Sequence, residues 1–251
     1  MILLGVGSAV GGAFRPVASD DIMGALYRQD DGVVVSSAQD IGAVIVAAGA
    51  SRRMGTSKPL LKLGGERIIE RVVRVFRAGG VPEPLVVTAS RARRLDALLD
   101  ELGVARVQNP KPERGMFSSV RVGVKGLTDG LSAFFVHPVD MPLVAPETLR
   151  ALRQAFDDDV PVVHPSYGGR RGHPPLLSAS LIPAVVEFDR PGGLRALLAD
   201  YDEEARHVEC DDPGVRFDID TPADYRRARE IVARMAAGNV SRSDAFKSND
   251  S

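Results

Sequence analysis

The chain has 251 residues, 44% hydrophobic and 26% charged, which suits one large α/β domain or two small ones. Its 32 Lys+Arg nearly balance its 33 Asp+Glu, so bulk charge draws it to neither nucleic acid nor a membrane surface, and neither is expected as a partner. The lone Cys210 leaves no internal disulfide or Cys/His zinc cluster, which fits a cytoplasmic location, and no apolar run approaches the ~20 residues that span a bilayer.

Residues 1–40 mix Gly, Ser, Ala and Asp with short apolar pieces. "MILLGVGSAVGGAF" lacks a positive region ahead of its apolar stretch and makes a poor signal peptide. Gly5, Gly7 and Gly11 imitate a dinucleotide fingerprint, but the third glycine falls one residue late and no amphipathic helix follows. This segment is expected to be a flexible extension or an overlong start.

From residue 41 strands alternate with helices. "IGAVIVAAG" is an apolar strand of the kind buried on both faces. "ERIIERVVRVFRAG" carries apolar residues at helical spacing and stops at Gly79-Gly80. "EPLVVTAS" and "ARVQNP" read as strands on either side of the helix "RARRLDALLDELG". "MFSSVRVGVKGL" and "APETLRALRQAF" read as helices, with "LSAFFVHPVDMP" between them a strand running into a loop. "VPVVHPSY" is a further strand. "GGRRGHPPLLSASLI" is a long Gly/Pro-rich loop entering a short strand. Short helices follow in "SASLIPAVVEF" and "GGLRALLADY", then strands in "ARHVEC" and "VRFDID". The helix "TPADYRRAREIVARMA" has Thr221 at its N-cap, Pro222 at its first position and Asp224 at N3. The domain is expected over 41–235, with 236–251 a disordered tail.

This alternation predicts an α/β fold with a three-layer, doubly wound, mostly parallel sheet, whose ligands sit beyond the carboxyl ends of the strands. The chemistry-bearing residues lie there. After the first strand, Ala47, Ala48 and Gly49 allow close backbone approach, and Arg52, Arg53 and Lys58 can neutralise a triphosphate. The spacing is not a Walker loop, because no Ser or Thr follows Lys58. A basic surface turn is the alternative. Asp140 ends an apolar strand, where a carboxylate needs a partner such as Mg²⁺ or else caps the next turn. Asp218 and Asp220 flank Ile219 and face one side of the chain; either can complete a metal site with Asp140, and Asp220 can instead cap the last helix. Gly115, Ser118 and Ser119 open a helix and suit a nucleotide, while Asn109 either bonds base or ribose or shapes the turn before Pro110. Arg170, Arg171 and His173 can receive an anionic acceptor or form a solvated basic loop. His164 and His207 read as packed or surface histidines, and Cys210 has no neighbouring base to make it a nucleophile.

"AAGASRRMGTSKPLL" resembles the signature loop of the MobA-like nucleotidyltransferases, and more narrowly of their molybdenum cofactor cytidylyltransferase branch. "NPKPERGMFSSVRVG", "VDMP" and "GHPPLLS…DIDTPADY" resemble that branch's later motifs, in the same order. The resemblance covers about residues 41–235. It departs at "HPVDMP", where Val139 stands in place of a common glycine and His137 is unusual.

The resemblance implies a Rossmann-like fold of the nucleotide-diphospho-sugar transferase type. It implies transfer of CMP from CTP to molybdopterin with Mg²⁺ and loss of pyrophosphate. Nucleotide contacts would come from Ala47, Ala48, Gly49, Ser51, Arg52, Arg53, Met54, Gly55 and Lys58. Arg53, Lys58 and Asp140 would act catalytically, Asp140 with Asp220 would hold the metal, and His173 would face the acceptor. "AAG" at Ala47–Gly49 favours the cytidylyl branch over the guanylyl branch, which usually shows "AGG". GTP, a sugar phosphate or phospholactate remain alternatives on the same fold, as does a non-catalytic chaperone that hands cofactor to a molybdoenzyme.

Overall fold

The structure is a computed structural model and describes residues 40–49, 57–238 and 240–247. The expected N-terminal extension lies outside the described residues. So do Ser51, Arg52, Arg53, Met54 and Gly55 of the first loop.

The chain begins its sheet with β1 (Ile41–Val46), then folds a small hairpin, β2 (Lys62–Leu63) and β3 (Glu66–Arg67), into helix α1 (Ile68–Ala78). The hairpin takes the first two residues expected to be helical, because Gly64 and Gly65 turn the chain at positive φ just before them. Then come β4 (Leu85–Ala89), α2 (Arg93–Glu101), β5 (Arg106–Asn109), α3 (Met116–Lys125), β6 (Ala133–Pro138) and α4 (Pro146–Ala155). After these the chain forms β7 (Val162–Tyr167), β8 (Arg170–Arg171), β9 (Leu176–Ser178), α5 (Ile182–Glu187) and α6 (Gly193–Ala199). β10 (Arg206–Glu209), α7 (Pro222–Ala236) and α8 (Arg242–Ala245) complete it. No helix among the described residues is long and apolar enough to cross a membrane.

The main sheet runs β10-β7-β9-β6-β1-β4-β5, with β8 paired to β7. β1 lies parallel to both β4 and β6, β4 to β5, and β7 to β10; β9 alone inserts antiparallel between β6 and β7. Strand order reverses at β1, so the carboxyl ends of β1 and β6 open the crevice where this architecture binds ligands.

Two apolar layers flank the sheet. Ala43, Ile45 and Phe135 meet α1, α4 and α7 through Phe76, Leu149 and Ile231. Val44, Val46 and Phe134 meet α3, α5 and α6 through Val120, Val185 and Leu197. The period-two alternation of β1 and β6 thus feeds both layers, as a buried parallel strand must. At Gly123 helix α3 lies so close to β1 that an added Cβ would stand 2.3 Å from Val44 Cγ1.

Two expectations are corrected. "VRFDID" is not a strand. Pro213–Arg216 forms a 3₁₀ turn, and the extended residues after it reach the sheet edge only through Ile219 N–H, which donates to Asp140 O at 2.8 Å. The alternation of exposed Asp218, buried Ile219 and half-buried Asp220 survives without a ladder, which is why it looked like a strand. Nor are residues 240–247 a disordered tail. They form α8, Phe246 packs edge-on to Phe217 at 5.8 Å, and the Arg242 side chain reaches back to Asp212 and to Leu143 O. Polar composition hid one apolar anchor and one buried charge pair.

Candidate active site

β1 delivers the first loop. Ala47 and Ala48 are buried, one in each apolar layer, and Ala47 N–H donates to Val87 O at 2.9 Å. Both lie just past the end of β1. The chain becomes exposed at Gly49, where an added Cβ would meet nothing within 4 Å among the described residues.

Lys58 returns from this loop at the start of a 3₁₀ turn. Its Nζ donates to Asp220 Oδ1 at 2.7 Å and to Asp140 Oδ2 at 3.4 Å. Asp140 stands just past β6, held there by Val139 N–H donating to Val46 O at 3.1 Å. Val139 therefore keeps the turn in position although it replaces a common glycine. Asp220 is free to face Lys58 because the cap of α7 is made by others. Thr221 Oγ1 accepts from Asp224 N, and the Asp224 carboxylate accepts from Thr221 N.

Burial works to lower the Lys58 pKa, but its bond to Asp220 and the charges of both aspartates outweigh this and raise it. Burial also pushes the Asp140 carboxyl up, against the pull of Lys58 and with the added repulsion of Asp220 and Asp218. Two carboxylates crowded on one ammonium form a site that favours more positive charge. No group of three or more His, Cys, Asp or Glu that could hold a metal assembles among the described residues. Two carboxylates are what Mg²⁺ takes from a protein when substrate phosphates and water supply the rest, so Asp140 and Asp220 fit the expected divalent cation.

Asp218 bridges this cluster to the next. Its charge acts on Asp140, and it partly offsets the burial that depresses the His173 pKa. His173 is fixed by its N–H donating to Val215 O at 2.7 Å, and Gly172 packs beneath Val215 with no room for a Cβ. His173 and Arg171 line a cavity of about 860 Å³ walled by the N-terminal ends of α3 and α6. Arg170 is not part of that wall.

Gly115, at φ 92, also lines this cavity. The hydroxyls beside it join a network with Asn109. Asn109 Nδ2 donates to Ser118 Oγ at 2.8 Å and to Ser119 Oγ at 2.9 Å, and its Oδ1 accepts from Lys111 N. Ser118 Oγ in turn donates to Gly115 O at 2.7 Å. Buried Asn109 thus clasps the start of α3 to the end of β5. These three side chains bond one another at the start of α3, next to the cavity that Gly115 lines.

His137 is fully buried against Phe76, donates from Nε2 to Met141 O at 3.1 Å, and has its pKa driven by burial to about 3. Cys210 is buried, and burial pushes its thiol up, away from nucleophilic use. The sequence reading missed Arg114, Arg195, Asp202 and His164 as cavity residues. A signal existed for α6 in Gly192 and Gly193, both at positive φ, which let the chain turn into the helix at the cavity wall.

The family model of the MobA-like NTP transferase domain matches residues 43–208. The chain belongs to this family and carries the fold of a nucleotidyltransferase. Among its relatives is a protein of Natranaerobius thermophilus named "Probable molybdenum cofactor guanylyltransferase", 31% identical over 134 residues that cover 51% of this chain and 63% of the relative. The chain thus spans less than two thirds of that relative's length. The Escherichia coli molybdenum cofactor cytidylyltransferase is 26% identical over 191 residues, 76% of this chain and 96% of the relative. A solved nucleotidyl transferase from Methanothermobacter superposes with a TM-score of 0.69 at 26% identity, covering 79% of this chain and 100% of its own.

Proposed function

We propose that this chain is a molybdenum cofactor cytidylyltransferase. It moves CMP from CTP to molybdopterin, with residues 41–235 as the catalytic domain. The observation that carries this reading is the convergence of Lys58, Asp140 and Asp220 at the carboxyl ends of β1 and β6. An oxygen of the acceptor phosphate bonds to the α-phosphorus of CTP, the bond to the β-phosphate oxygen breaks, and pyrophosphate leaves. This chemistry needs positioning and charge neutralisation rather than a covalent nucleophile.

Lys58 holds its proton and neutralises phosphate charge, and Arg52 and Arg53 of the same sequence motif add to that neutralisation. Asp140 and Asp220 hold Mg²⁺, which supplies further charge neutralisation on the phosphates when bound. Gly49 lets the loop backbone approach the triphosphate. Asp218 and His173 lie between this cluster and the 860 Å³ cavity, which takes the acceptor. The "AAG" of Ala47–Gly49 and the near full-length match to a cytidylyltransferase support CTP. Buried Cys210 suits the reducing cytoplasm, from which the product would pass to a molybdoenzyme.

A guanylyltransferase is the second reading, favoured by the relative of that name. Incubating the protein with Mg²⁺, molybdopterin and each of four NTPs, with pyrophosphate and product mass as readouts, separates the two. Release of pyrophosphate with CTP alone is the expected result. Release with GTP alone selects the second reading, and release with none removes both and leaves a non-catalytic cofactor chaperone.

A further inference from the structure

The acceptor cavity carries a feature that catalysis at the aspartates does not use. His164, on β7, lines it, is 5% exposed, and has a buried Nε2 with no hydrogen-bond partner among the described residues. The ring is stacked on His207 of β10, centroids 5.5 Å apart and planes 22° from parallel, which holds its plane. A half-turn about Cβ–Cγ exchanges its nitrogens with carbons and leaves its outline unchanged. A buried polar atom left without a partner is costly, so a cavity ligand that gives this ring a partner, reached through the half-turn that moves its nitrogens, gains the bond the ring lacks.

The rest of the wall indicates what that ligand is. Phe117, Leu194 and Leu198 give an apolar floor. Arg171 is tied to Asp202 at 2.6 Å, whereas Arg114 and Arg195 have no carboxylate partner among the described residues. A flat ring bearing an anion fits an apolar floor with two unpaired guanidiniums. Burial, with the charges of Arg171, His207 and His173 adding to it and Asp202 opposing, brings the His164 pKa to about 4. At neutral pH the ring therefore offers one donor and one acceptor.

We propose that His164 is a specificity-determining residue of this cavity, hydrogen-bonding an in-plane N–H or carbonyl of a flat heteroaromatic acceptor. The inference rests on the pterin-type acceptor proposed above.

Pterin-6-carboxylate is the probe, titrated by its fluorescence against the wild-type chain, His164→Phe and His164→Gln. The wild type is expected to bind saturably. His164→Phe keeps the stacking shape and should weaken binding about tenfold, as loss of one hydrogen bond does. His164→Gln should stay within about threefold of the wild type. The KM for the acceptor should follow the same order while the KM for CTP stays unchanged.

Should His164→Phe not fold, the wild type answers alone. With only four histidines in the chain, the ¹⁵N ring resonances of His164 are expected to move on adding probe. No binding by the wild type, equal binding by His164→Phe, or unmoved His164 resonances overturns the inference. The proposed reaction fails separately. A chain that binds probe through His164 but releases no pyrophosphate from any NTP keeps the inference and loses the reaction. A chain that turns over CTP equally well with His164→Phe loses only the inference.

Discussion

Lys58 and Asp220 are 162 positions apart in sequence, yet their side chains meet at 2.7 Å. This contact ties the loop after the first strand to the turn before α7, with Asp140 as the third member at 3.4 Å from the same nitrogen. The cluster forms only when the whole domain has folded, so its charge balance tests both the fold and the reaction.

Neutralising that cluster should separate activity from stability. Asp140→Asn removes a carboxylate that burial already disfavours, so its stability should stay within about 1 kcal/mol of wild type. Its rate of pyrophosphate release should fall by about 10²-fold or more, because phosphoryl chemistry depends on charge neutralisation. Urea denaturation and a pyrophosphate assay on one preparation check both. Loss of activity with matching loss of stability would make Asp140 a structural residue.

Removal of the ammonium should act in the opposite sense on structure. Lys58→Met leaves Asp140 and Asp220 facing each other without their shared cation, and added Mg²⁺ should then raise the thermal midpoint more than it does for the wild type. Thermal melts over a Mg²⁺ series measure this, and an equal response in the two proteins would argue against a metal at these carboxylates.

Gly123→Ala should destabilise the chain by about 1–3 kcal/mol, since its methyl would enter the space of Val44 at the α3–β1 contact. The same substitution should leave the His164-dependent binding of pterin-6-carboxylate intact in the folded fraction. Denaturant midpoints and the fluorescence titration report the two halves.

His137 makes stability fall in acid. Its folded pKa of about 3 lies below the ordinary value of 6.5, so the unfolded chain binds the extra proton between those limits. Stability is therefore complete above about pH 6.5 and drops as pH falls, by about 2 kcal/mol at pH 5 from this group. Unfolding free energies at pH 5 and pH 8 for the wild type and His137→Gln should show the smaller difference in the variant.

The layered sheet was legible in the sequence because each strand alternates toward two apolar layers. Ile45 and Val46 point to opposite layers, and a run that satisfies both faces has few other homes. The meeting of Lys58, Asp140 and Asp220 was legible only in part, because Asp140 lies just past the apolar β6, whereas Lys58 stands well beyond β1 and Asp220 follows no strand. The roles of Asn109 and Ser118 were not. Whether an amide faces a ligand or a neighbouring hydroxyl is decided by distances of about 3 Å that spacing along a chain does not set. His164 was hidden for a related reason. It sits mid-strand among apolar residues, and only the packing of α6 across the sheet end turns that position into a wall.

Asp212 receives bonds from Ala145 N, Thr148 Oγ1, Gly214 N and Arg242 Nε, the last at 2.8 Å. The carboxylate is buried, and Arg242 is its only charged partner among the described residues. Burying Asp212 before the segment carrying Arg242 docks would therefore leave its carboxylate without that charged partner. Until then Asp212 works against burial of the α4 edge. Helix α8 is thus less an appendage than a latch on the α4 edge.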